Sequence, residues 1–249
     1  MHAQRDNWEW LEAARKLPHL DPDKIVGIVD HFTAGGSGRA IARWVGGLTR
    51  VKGKKVAPAK YYAPIIICRD GHVIQQSQFD VLCYHAGGLN KGRFQNADDA
   101  AEINDIALGI EHSNFGWLIK DGSTFYRPTK SGGQWVKGKR YPSSSPTPVR
   151  APDHRGAMHY WEPFTDECIQ SSIEVHREMV DTFPNIIREN VLRHSDISPD
   201  RKTDPGPLFP LEEILDAVFD DGDEDEIVEL EARRYYDPDE EICLLPESD

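Results

Sequence analysis

The chain lacks a C-x-x-C pair. Its four cysteines, Cys68, Cys83, Cys168 and Cys243, lie far apart. That excludes a small disulfide scaffold and leaves reduced, buried thiols as the default. No run is long and apolar enough to cross a bilayer, so no transmembrane segment is expected. The opening residues, MHAQRDNWEWLEAARKL, carry neither the basic start nor the apolar stretch of a secretion signal and read as a short amphipathic helix. A cytoplasmic location and export by a non-classical route, through phage lysis or a dedicated secretion system, both stay open. A basic excess is missing too: 29 Lys and Arg face 42 Asp and Glu, which argues against a nucleic-acid partner. There is no H-E-x-x-H helix to announce a metal site locally. No internal repeat is evident, and oligomeric state is unreadable.

What is present suits a globular protein. The 249 residues are 39% hydrophobic and 29% charged, enough for one large domain or two small ones with a useful core. The acidity is local. Residues 220–249 hold fourteen acidic side chains against Arg233 and Arg234, which accounts for −12 of the net −13. This predicts a main domain over 23–219, an N-terminal helical extension over 1–22, and a solvated acidic tail over 220–249.

Apolar patterning then sketches the domain. KIVGIVDHF reads as a buried strand, TAGGSG as a turn, and RAIARWV as a helix. YYAPIIICRDGHVIQQ reads as two strands joined at Arg69-Asp70-Gly71. DIALGIEH is another short strand. Residues 113–158 are rich in Gly, Pro, Ser, Lys and aromatics and read as an irregular insertion with room for a hairpin. Thr165 caps a helix over DECIQSSIEVHREMVDTF, which Pro184 ends, and LEEILDAVF forms a last helix. The expected fold is α/β, with a single mixed central β-sheet flanked by helices.

On that sketch His31 ends the first strand, Glu111 stands near the end of DIALGIEH, and His194 opens RHSDISPDRKTDPGP, with Asp204 ten residues later. Strand ends and the loops beyond them are where α/β sheets place chemistry. Two imidazoles and a carboxylate suit zinc, leaving a fourth position for water whose pKa falls to roughly 7. Glu111 is then the candidate proton acceptor and Lys202 the candidate oxyanion partner. Each has an ordinary alternative. One of ten histidines is more often a core or surface residue than a ligand. Asp204 before Pro205 can cap a turn, Glu111 can be an exposed strand residue, and Lys202 a solvated one.

RHSDISPDRKTDPGP closely resembles the C-terminal active-site loop of the zinc-dependent N-acetylmuramoyl-L-alanine amidases of type 2, above all the branch with the anhydro-muropeptide amidases. IVDHFTAGG, CRDGHVIQQSQFDVLCYHAGG and NDIALGIEH resemble further family segments in family order, with Tyr84 in place of a tryptophan. The resemblance spans about residues 24–215. It implies the mixed-sheet fold shared with peptidoglycan recognition proteins, and one Zn2+ on His31, His194 and Asp204. It implies Glu111 as acid/base carboxylate and Lys202 as oxyanion stabiliser, acting on the amide between N-acetylmuramic acid and L-alanine in peptidoglycan or muropeptides. His85 is expected to line the substrate groove, with a buried, hydrogen-bonded histidine as the alternative. Arg93 is expected to meet a substrate carboxylate, with a surface arginine as the alternative. Asp30 and His112 alternate to the opposite faces of their strands and read as structural. Pro64 stands where relatives carry a histidine, and Tyr62 sits one residue off the tyrosine of the phage enzymes. The rival functions are a non-catalytic peptidoglycan-binding module and another zinc amidohydrolase on the same frame.

Overall fold

The computed structural model describes residues 7–11, 17–47, 50, 51, 54, 55 and 62–220. Its first strands in chain order are β1 (Trp8–Trp10), β2 (Gly27–Phe32), β3 (Arg50–Val51), β4 (Lys54–Lys55), β5 (Ile65–Ile67), β6 (Val73–Gln75) and β7 (Ala107–His112). Then come β8 (Trp117–Asp121), β9 (Thr124–Ser131), β10 (Gln134–Arg140), β11 (Val149–Pro152), β12 (Met158–Trp161) and β13 (Val191–Arg193). The helices are α1 (Gly38–Val45), α2 (Ile103–Ile106), α3 (Asp166–Thr182), α4 (His194–Ile197) and α5 (Leu211–Phe219). Residues through Val218 group as one unit; of the second, which starts at Phe219, only Phe219 and Asp220 are described. The acidic tail expected over 220–249 therefore lies, beyond Asp220, outside the described residues.

The central sheet is mixed, in the order β1-β6-β5-β7-β2-β13. β5, β7, β2 and β13 run parallel, and β6 turns back against β5 through the hairpin that Asp70-Gly71 marks in the sequence. Ile28, Val29, Ile65, Ile67 and Ile110 have no exposed surface. Such unbroken apolar runs are what a parallel sheet covered on both faces requires. α3 packs Val175 and Met179 into the same core, both fully buried. The Thr165 side chain caps this helix by accepting from the Cys168 N–H, and its hydroxyl donates to the Arg69 carbonyl. Cys68, Cys83 and Cys168 are buried free thiols, as expected.

Two expectations change. The N-terminal segment is a strand where it is described: Trp8 pairs with Val73 and Trp10 with Gln75, along the open edge of β6. Pairing with an available sheet edge outweighs the helical spacing of the local sequence. Residues 12–16 lie outside the described residues.

Residues 113–158 are not irregular. They supply most of a five-stranded antiparallel sheet in the order β10-β9-β8-β12-β11. Gly122-Ser123 joins Asp121 to Thr124, and Gly132-Gly133 joins Ser131 to Gln134. Gly122, Gly132 and Gly133 have φ of 58°, 57° and 81°, the left-handed conformation that two-residue hairpins demand. Glu162, whose side chain is fully buried, holds this outer sheet to the inner one. Its carboxylate accepts from Arg69 at 2.8 and 2.7 Å and from the Phe115 N–H at 2.5 Å. The guanidiniums of Arg69 and Arg127 both lie 4.6 Å from the Phe115 ring centre. Removing one partner of such a buried pair costs about 3–5 kcal/mol.

Candidate metal centre

Strand register builds the site. β2 and β7 are parallel neighbours that pair His31 with Glu111, so the pleat sends both side chains to the same face. On the other side of β2, β13 pairs Arg193 with Asp30 and so delivers the next residue, His194, beside His31. The two rings meet edge to face with centroids 4.4 Å apart. α4 begins at His194, and the Asp196 carboxylate accepts from the Arg193 N–H at its start. The following loop is drawn back on itself, since the Lys202 N–H donates to Ser198 O and the Ser195 N–H to Asp204 O, each at 2.9 Å. This returns Asp204 to His194 across ten residues.

The result is a three-residue donor set. Asp204 Oδ2 lies 2.8 Å from His194 Nδ1 and 3.1 Å from His31 Nδ1, and all three residues are buried. Their ligand atoms lie within 4.8 Å of one another. Nitrogen and oxygen ligands of one zinc stand roughly 3–3.5 Å apart when each bond is about 2 Å. The Nε2 of His194 is buried with no partner, as expected of a site built for one more group. Protonation also fits. Burial works to raise the Asp204 carboxyl, but hydrogen bonds from His194 and His31 outweigh it and hold the group far below the usual range. Burial lowers His194 to about 4 in spite of Asp204. An ionised carboxylate and a neutral imidazole are the forms a metal takes.

Glu111 is half-buried, but its Oε2 is sealed from solvent and has no hydrogen-bond partner. Burial raises its carboxyl to about 7; Asp204 adds to the rise, while His31 and Lys202 oppose it. Lys202 is half-buried, and its charge acts on both Glu111 and His194. A carboxyl that titrates near neutrality can both take and return a proton.

His85 departs from the expected groove-lining position in one respect: both of its ring nitrogens are engaged. Nδ1 lies 3.0 Å from His31 Nε2, and Nε2 lies 3.0 Å from the Ala107 carbonyl. The ring rests on β7 at Gly109, where a Cβ would come within 2.6 Å of it. Asn104, buried and given no role of its own in the sequence reading, fixes the backbone here by accepting from the N–H groups of His85 and Ala86. Burial holds His85 well below its ordinary pKa, with His31 adding to the shift. Arg93 is exposed, and its side chain joins no hydrogen bond or ion pair among the described residues. Tyr62 is buried in a core cluster with Ala42, Val45 and Ile66.

Beneath the site lies a polar layer. Asp30, His112, Ser172 and His176 have no exposed surface. His112 uses Nδ1 toward the His31 carbonyl and Nε2 toward Ser172 Oγ, each at 3.0 Å, while His176 Nε2 lies 3.3 Å from Asp30. Burial opposes both charges of that last pair, but their attraction wins, lowering Asp30 and raising His176.

Comparison with known proteins bears on the chain as a whole. A model of the N-acetylmuramoyl-L-alanine amidase family matches residues 21–207. The 1,6-anhydro-N-acetylmuramyl-L-alanine amidase AmpD of Haemophilus influenzae is 39% identical over 156 residues, covering 63% of this chain and 58% of that protein. The N-acetylmuramoyl-L-alanine amidase AmiD of Escherichia coli is 30% identical over 133 residues, covering 53% of this chain and 33% of that protein. The match thus spans from a third to under two thirds of these relatives. A crystal structure of a selenomethionine derivative of AmpD shares the fold, with a TM-score of 0.54 at 19% identity over 86% of this chain and 96% of that one. With the family model covering 21–207 and the mixed sheet in place beneath it, this chain belongs to the N-acetylmuramoyl-L-alanine amidase family.

Proposed function

We propose that the protein hydrolyses the amide joining N-acetylmuramic acid to the L-alanine of its stem peptide, with one zinc ion held by His31, His194 and Asp204. The observation that carries this reading is the convergence of those three buried donors on one point, with Glu111 in register beside His31. Zinc in such a set supplies Lewis acidity toward a carbonyl and lowers the pKa of a water to roughly 7.

The chain's own residues would do the rest. Glu111 takes the proton of the attacking water and returns it to the departing alanine nitrogen, a role its raised pKa suits. Lys202, whose charge acts on both Glu111 and His194, stabilises the oxyanion that forms. His85 orients His31 through its Nδ1, and the Ala107 carbonyl fixes the tautomer of His85 in turn. The polar layer under β2 holds the backbone of His31 from below.

The test is mass spectrometry of the products from muropeptides, with and without chelator. Release of free stem peptide that stops on chelation and returns with zinc is the expected result. Lys202→Ala is expected to lose roughly a hundredfold in kcat while keeping its metal. Binding without any release would turn the reading toward a non-catalytic module.

A further inference from the structure

The outer sheet has one face that the chemistry above does not use. Strand alternation puts Trp117, Tyr126, Lys130, Trp135, His159 and Trp161 on it together. Their rings form a ladder. Trp161 and His159 meet edge to face with centroids 5.9 Å apart, His159 and Trp117 are tilted at 5.1 Å, and Trp117 and Trp135 meet edge to face at 5.5 Å. Burial falls along the row, from Trp161 at 1% exposure to Trp135 at 54%.

The ladder starts at the metal loop. Trp161 packs on Gly206, where a Cβ would come within 2.9 Å of the indole. The turn between β11 and β12 also grips this loop, through His154 to the Pro199 carbonyl at 2.7 Å and Arg155 to the Asp200 carbonyl at 3.4 Å. Cations border the rings. The Lys130 ammonium lies 5.0 Å from the Trp135 ring centre, and Lys137 lies 5.6 Å from that of Tyr126. On this face Lys137 also pairs with Asp121 at 2.6 Å, which leaves the Lys130 ammonium as the cation beside the exposed Trp135.

We infer that this face is a subsite for the polymeric glycan strand of peptidoglycan, which would make the intact wall the preferred substrate over a soluble muropeptide. The inference rests on the amidase reading above. The exposed rings offer apolar surface for sugar faces, and the Lys130 ammonium offers a partner for a stem-peptide carboxylate. A single-stranded nucleic acid shares the aromatic and cationic chemistry, but the ladder's continuity with the Gly206 loop favours the strand whose amide would enter that site.

The experiment uses full-length chain carrying Glu111→Gln, so that substrate survives, with and without Trp135→Ala. Trp135 is exposed, and circular dichroism checks that the variant stays folded. Co-sedimentation with purified sacculi is expected to weaken about tenfold with Trp135→Ala, in line with loss of one aromatic anchor. In otherwise wild-type protein, the ratio of activity on sacculi to activity on soluble muropeptide is expected to fall about tenfold as well. Undiminished co-sedimentation, an unchanged ratio, or tighter binding to a single-stranded oligonucleotide than to sacculi would overturn the subsite. Sacculus binding that depends on Trp135 in a protein that cleaves no muropeptide would leave the subsite standing and overturn the amidase reading alone.

Discussion

The two sheets solve different problems with the same backbone. The inner sheet is largely parallel and covered on both faces, and its side chains are close-packed by neighbours on every side. The outer sheet is antiparallel, with β10 at its rim, where Trp135 and Val136 are 54% and 37% exposed. The donor set, with Asp204 Oδ2 2.8 and 3.1 Å from its two imidazoles, is gathered at the first. The second offers breadth, charge and exposed rings. Precise placement comes from burial, and reach comes from giving burial up.

Substitutions can break this contrast in order of expected size. His31→Ala removes one of three donors and is expected to abolish both bound zinc and amidase activity, measured by elemental analysis and product release on the same sample. Glu111→Gln is expected to keep zinc while activity falls by roughly 10²–10⁴-fold. The same variant carries a pH signature in metal-free protein. The Glu111 carboxyl titrates near 7 when folded against an ordinary value of 4.5, so the fold binds its proton more tightly than the open chain does. Its contribution to stability is present below about pH 4.5 and is lost as pH rises through about 7. Glu111→Gln is therefore expected to be the more stable protein at pH 8, by a few kcal/mol, and to lose that advantage near pH 4. Denaturant melts at the two pH values would show it, and equal advantages at both would refute it.

Smaller effects follow. Gly109→Ala places a methyl against the His85 ring and is expected to weaken zinc binding about tenfold or more by loosening His31, read by competition with a chromogenic chelator. Val136→Lys, at the rim of the outer sheet, is expected to leave stability within about 0.5 kcal/mol of the parent. A large loss there would mean that the outer sheet is as tightly specified as the inner one.

Much of the inner sheet was legible in the sequence because its strands are short apolar runs bounded by turn residues. β2, β5, β6 and β7 fall where KIVGIVDHF, APIII, HVIQQ and DIALGIEH place them. His31, His194 and Asp204 could be nominated individually, but their meeting could not be read from spacing, because Asp204 reaches His194 only through backbone hydrogen bonds within the loop. His85 shows the same limit: its contact with His31 depends on a bare strand position at Gly109, 24 residues away in the chain. The outer sheet did carry signals. Gly-Ser and Gly-Gly sit between alternating segments as two-residue hairpins prefer, but the abundance of Lys, Pro and Ser around them suggested a loop. β1 carried no usable signal, since what decides it is the open edge of β6.

Gly109 has a further consequence for anyone wishing to move the carboxylate proposed as acid and base. Along β7 only every second residue looks toward the metal donors, so a relocated carboxylate must shift in steps of two. One step back from Glu111 is position 109, and the imidazole of His85 already occupies that space. One step forward is Ser113, past the end of the strand. Pleat and neighbour together leave a single address for this group, so redesign of its reactivity has to proceed through its surroundings while the carboxylate stays where it is.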